Sequence, residues 1–130
     1  YAYLDFVAPI FYPSHYFSGA LGYKNPADHP YEIVKYSMDS AIKKLSAFLS
    51  ASTTPKTTST INLEPKTSNL KPKLRPWLQD FDLGADYDAV MVRKEIDGVY
   101  DAASSTPELI NGFMLWNSSN IYTKEALKPE

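Results

Sequence analysis

Hydrophobic and polar positions fall into blocks along this chain, and each block has its own period. Residues 3–12 are short, apolar and rich in β-formers, which predicts a strand buried on both faces; Pro9 marks an edge, a bulge or the strand's end. Residues 13–29 hold Gly19, Gly22, Asn25-Pro26 and Asp28, all turn signals, while Tyr16, Phe17, Leu21 and Tyr23 predict a loop that packs. A helix follows over about residues 30–50, with Asp28 available to cap it and Pro30 suited to its first turn. Ile33, Val34, Met38, Ala41, Ile42, Leu45, Phe48 and Leu49 form one apolar stripe, with Lys35, Asp39, Lys43 and Lys44 away from it. Burying each large apolar side chain is worth about 1.5–3 kcal/mol, so the stripe calls for a sheet to cover it.

Residues 51–73 break the periodicity. They are rich in Ser, Thr, Lys and Pro, with Pro55, Pro65 and Pro72 spaced along them, and read as a low-complexity insertion without a core. Periodicity resumes with a strand over residues 74–79. A helix over about residues 88–103 is carried by Val90, Val92, Ile96, Val99, Tyr100 and Ala103. A strand over residues 112–116 follows, and Thr123 can cap a last short helix through Leu127.

Strands and helices therefore alternate, which predicts an α/β fold with a parallel sheet and helical crossovers. A doubly wound sheet and a (β/α)8 TIM barrel both fit that order. A full barrel needs about 250 residues. The expectation is therefore that residues 1–130 form the C-terminal part of one truncated TIM barrel, about three βα units, with the 51–73 insertion inside it. The abrupt apolar start at Tyr1 agrees with that expectation. Such a part should leave a strand edge and an apolar interior uncovered.

Composition narrows the function classes. Hydrophobic residues make up 44% and charged residues 22%, and the net charge of -2 offers no basic surplus for nucleic acid. No apolar run reaches the length of a membrane span. The absence of Cys removes a disulfide framework, a thiol nucleophile and thiolate zinc ligation. His15 and His29 lack further metal ligands, and no Gly-rich phosphate loop is present, so no metal or other cofactor is expected. The sequence leaves the compartment open, with secretion or attachment to the cell envelope as the expectation.

In either architecture ligands bind at the carboxyl ends of the strands. Those ends are residues 12–16, 77–81 and 116–120, and each sets aromatic rings beside polar groups. Strand alternation turns Leu74, Pro76 and Leu78 toward the helices and Arg75, Trp77 and Gln79 inward; likewise Phe113 and Leu115 face helices while Met114 and Trp116 point inward. Aromatic faces beside amides and hydroxyls suit a sugar ring, although core packing explains any single Trp equally well.

Four segments also resemble a bacterial glycoside hydrolase domain family whose expected fold is a TIM barrel. They are Tyr12-Pro13-Ser14-His15-Tyr16, the helix start at His29-Pro30-Tyr31-Glu32, the strand Arg75-Pro76-Trp77-Leu78-Gln79-Asp80-Phe81, and the ending Leu115-Trp116-Asn117-Ser118-Ser119-Asn120. They occur in the family's order and cover nearly all of the chain outside the insertion. The resemblance implies a hydrolase acting on a polysaccharide or oligosaccharide. It also implies acidic strand ends in an N-terminal half of the same barrel, and nothing in this chain matches those.

Glycosidases usually use two carboxyl groups across the scissile bond. Asp80 is the catalytic candidate at a strand end, although its parity argues for holding a loop instead. Tyr12, Tyr16, Trp77 and Trp116 are the candidate sugar platforms, and His15, Gln79, Asn117 and Asn120 the candidate hydrogen-bonding groups. His15 and Ser14 do not form a catalytic dyad, because neighbouring side chains diverge. The part alone is expected to be inactive. The alternative is a carbohydrate-binding barrel of the cell envelope that turns nothing over.

Overall fold

The structure, a computed structural model, describes residues 4–52 and 72–127. It mixes helix and strand. β1 (Phe6–Val7) pairs in parallel with β2 (Lys73–Leu74), and β3 (Trp77–Gln79) pairs in parallel with β4 (Met114–Trp116). Bridges from Ile10 to Trp77 and from Leu74 to Ile110 join these pairs into one surface of three parallel segments, with residues 73–79 in the middle.

The expected long strands are broken into short ones for a local reason. Pro9 and Pro76 each keep a carbonyl in the ladder: the Trp77 N–H donates to Pro9 at 2.8 Å and the Met114 N–H to Pro76 at 2.8 Å. Neither proline can donate a rung of its own, so both ladders are interrupted beside them. On the β4 side the Asn111 and Met114 amides, three residues apart, donate to the Leu74 and Pro76 carbonyls, two residues apart. The extra residue makes a bulge, and Gly112 absorbs it at φ 71°.

Two helices cover one face of this surface. α1 (Pro30–Ser52) buries Ile33, Val34, Met38, Ile42 and Leu45, and α2 (Ala89–Ala102) buries Val92, Ile96, Val99 and Ala102. They meet Leu74 and Leu78 from the middle segment in one core, with Phe113 and Leu115 packed against it. The helices also pack on each other at Gly98, where a Cβ would stand 2.9 Å from the Tyr31 carbonyl oxygen. Asp88 caps α2 by accepting from the Met91 N–H at 2.9 Å.

Several expectations change. Val90 and Tyr100 are 60% and 49% exposed, because the buried stripe of α2 runs 92, 95, 96, 99, 102 and 103 and they lie off it. Asp28 does not cap α1; its carboxylate accepts from Asn25 Nδ2, and the His29 carbonyl takes the Ile33 N–H instead. The final helix is a 3-10 turn, Lys124–Leu127. Ala51 and Ser52 belong to α1, and Lys73 to β2; residues 53–71 lie outside the described residues, as does Tyr3. Residues 13–29 pack as three 3-10 turns.

Candidate functional site

The carboxyl ends of the three parallel segments are tied together by side chains of the middle one. Gln79 is fully buried, and all its side-chain hydrogen-bonding capacity is used. Its Oε1 accepts from the Ser14 N–H at 3.2 Å and from Ser14 Oγ at 2.7 Å, and its Nε2 donates to the Phe81 and Leu83 carbonyls at 2.9 and 3.3 Å. The loop after the first segment is thereby fixed to the end of the second. Asp80 does the same on the other side. Its Oδ1 accepts from Thr123 Oγ1 at 2.7 Å and its Oδ2 from the Thr123 N–H at 2.9 Å, while its carbonyl accepts from Asn117 Nδ2. Asn117 Oδ1 in turn accepts from the Ser119 N–H at 2.8 Å, closing an Asx turn.

Above these struts, on the face turned away from the helices, Ile10, Tyr12, Trp77 and Trp116 line an open cleft of about 340 Å³. Trp77 and Trp116 stand edge to face with centroids 6.0 Å apart, and Trp116 remains 45% exposed. Tyr12 is buried and wedged edge-on between His15 at 5.1 Å and Phe81 at 5.5 Å, and His15 is itself exposed. Burial raises the Tyr12 hydroxyl above its ordinary pKa, helped by Glu95 and Tyr122, so it is a neutral donor across the physiological range. Arg75 shares this face deeper in, its guanidinium 5.6 Å from the Phe6 ring centroid and its buried Nε without a partner.

The other polar candidates divide by accessibility. Tyr16 is tied to α1 through a 2.5 Å contact with Ser37 Oγ; since Ser37 gives its own proton to the Ile33 carbonyl, the tyrosine donates. Asn120 is exposed, in the left-handed region at φ 55°. The structure thus brings Tyr12, Trp77 and Trp116 to one cleft, leaves His15 exposed against the Tyr12 ring, and turns Tyr16, Gln79, Asp80 and Asn117 to holding loops.

A family model described as "Putative glycosyl hydrolase domain" matches residues 1–122. The chain belongs to this glycosyl hydrolase domain family. Comparison with curated proteins and with solved structures found no match. In this glycosyl hydrolase domain two carboxyls near the strand ends are inside the protein, while Asp82 is exposed and accepts from the Tyr87 N–H at 2.7 Å. Asp80 is buried, and Glu95 of α2 is fully buried. Glu95 Oε1 accepts from the Gln79 N–H at 3.3 Å, and its Oε2 has no partner. Burial pushes the Glu95 carboxyl well above the ordinary range, with the Asp80 charge adding to the rise and the Gln79 bond opposing it.

Sequence reasoning on the domain missed Glu95. The signal was there: residue 95 falls on the 92-96-99 stripe, so a carboxyl had to enter the core. Among the described residues of the domain, no group of three or more His, Cys, Asp or Glu gathers to hold a metal, and no helix is long and apolar enough to cross a membrane.

Proposed function

We propose that this chain is part of a glycoside hydrolase built on a (β/α)8 barrel, and that its share of the work is to hold a polysaccharide or oligosaccharide. The observation that carries this reading is the open aromatic cleft of Ile10, Tyr12, Trp77 and Trp116 at the carboxyl ends of parallel segments. Sugar rings pack their C–H faces on such rings while their hydroxyls seek polar groups at the rim. His15 and Asn120 are exposed polar groups on the loops that follow the first segment and β4. Gln79, Asp80, Asn117 and Tyr16 act on the sugar through the loops they hold. The adjacent parallel segments, with both helices on one face, fit a barrel wall whose inner surface is the aromatic one.

A second reading, a carbohydrate-binding barrel without turnover, is favoured by the carboxyls. Neither Asp80 nor Glu95 opens into the cleft, whereas hydrolysis needs a carboxyl pair about 5–10 Å apart across the bond. Assaying the whole protein for both binding and reducing-end release on soluble glycans separates the readings. Binding with release supports the hydrolase. Binding without release supports the second reading, and no binding defeats both.

A further inference from the structure

The middle segment's ladder toward the first segment follows a regular series. The amides of Lys73, Arg75 and Trp77 donate to the carbonyls of Asp5, Val7 and Pro9. The next amide in the series is that of Gln79, and its counterpart would be the Phe11 carbonyl. The Gln79 N–H donates to Oε1 of Glu95 instead. A helix side chain therefore takes the place of the last rung, at the point where the first segment leaves the sheet and turns through Tyr12 and Pro13. Gln79 and its neighbour Asp80 are the residues that tie down the two loops bordering the cleft.

We infer that Glu95 is a positioning residue for the aromatic cleft: by accepting the Gln79 amide it sets the end of β3, and through Gln79 and Asp80 it sets the loops that follow Tyr12 and Trp116. The inference rests on reading the cleft as the ligand face, but concerns its geometry. Burial favours the protonated form of the Glu95 carboxyl. Among the described residues no cation acts on its carboxyl. The titratable groups that face it are Asp80 at the end of β3, Tyr12 at the end of the first segment and Tyr87 ahead of α2, and ionising any of them adds negative charge.

The test compares wild type with Glu95→Gln and Glu95→Leu in the whole chain. Trp77 and Trp116 are its only two tryptophans. Acrylamide quenching of tryptophan fluorescence therefore reports the cleft without any sugar, and urea unfolding across pH reports the acid. Gln keeps an acceptor for the Gln79 amide and carries no charge. Glu95→Gln should match wild-type quenching at pH 7. Glu95→Leu should fold yet expose the tryptophans more, because the amide is left unmet.

The folded state holds the Glu95 proton more tightly than the unfolded state. Wild type should therefore lose stability as pH rises from about 4.5 toward the raised folded pKa, by roughly tenfold in the folding constant per pH unit from this group. Glu95→Gln should lack that component. Equal quenching in the Leu and Gln variants overturns the inference, as does a Gln variant with the wild-type pH slope. Should the Leu variant not fold, Glu95→Met, which likewise offers no oxygen to the Gln79 amide, takes its place in the quenching comparison. Titrating the same proteins with cellohexaose and xylohexaose reads the sugar assignment separately: no binding beside the expected quenching pattern would defeat that assignment and leave Glu95's role standing.

Discussion

Replacing Asp80 distinguishes a carboxylate that anchors a loop from one that performs chemistry. In the structure both its oxygens are taken by Thr123, one by the hydroxyl and one by the amide. Hydrogen bonds to a charged acceptor contribute about 1.5–3 kcal/mol each. Asp80→Ala removes two, but Thr123 is only half-buried and can regain water, so the expected loss is about 2–4 kcal/mol. Asp80→Asn keeps one acceptor and turns an NH2 toward a donor, which should cost about 1–3 kcal/mol. Urea unfolding measures this as a lower midpoint at unchanged slope. The loop carrying Asn117 should loosen along with Thr123, and with it the rim beside Trp116. Asp80→Asn with wild-type stability and no turnover in a hydrolysing whole protein would refute the reasoning and return Asp80 to direct catalysis.

Other consequences follow from single contacts. Gly98→Ala pushes a methyl against the Tyr31 carbonyl at 2.9 Å, so overpacking of about 1–3 kcal/mol should outweigh the roughly 1 kcal/mol gained in helix propensity, and thermal melting should show a net loss. Gln79→Leu strands the Ser14 amide and hydroxyl, and should destabilise by about 1–3 kcal/mol while raising protease cleavage in residues 13–16. The chain exposes Phe6, Ile10 and Trp116 on the outer segments of its parallel surface, so sedimentation should show self-association that rises with concentration; a monomer with a sharp, concentration-independent transition would contradict this.

Much of the fold was legible because it rests on side-chain period. Alternation along 74–79 separated Leu74, Pro76 and Leu78 from Arg75, Trp77 and Gln79; the structure buries Leu74 and Leu78 in the core with the helices and turns Trp77 to the cleft, while Gln79 is fully buried among loop partners. The 3.6-residue stripe located α1 from its first residue. What escaped was decided by partners distant in sequence. Asp80 meets Thr123 across 43 residues and Gln79 meets Ser14 across 65, so whether each side chain is free or committed could not be read locally. Glu95 was overlooked because a carboxyl on a helix is ordinarily solvated, and its burial is compensated by one strand-end amide that no local pattern marks. Val90 and Tyr100 were misplaced by counting apolar residues without asking which shared a stripe. The candidate site was therefore legible as a set of strand ends, but not as a division between rings that face the cleft and polar groups that hold it.

The most direct test of the sugar-holding cleft is the affinity of the whole protein for soluble oligosaccharides with and without the Trp116 ring. Trp116 is exposed, so Trp116→Ala should leave folding intact by circular dichroism. A central aromatic contact is worth about 2 kcal/mol or more in binding, so the account predicts that affinity falls by roughly tenfold or more. Unchanged affinity in the folded variant would contradict it.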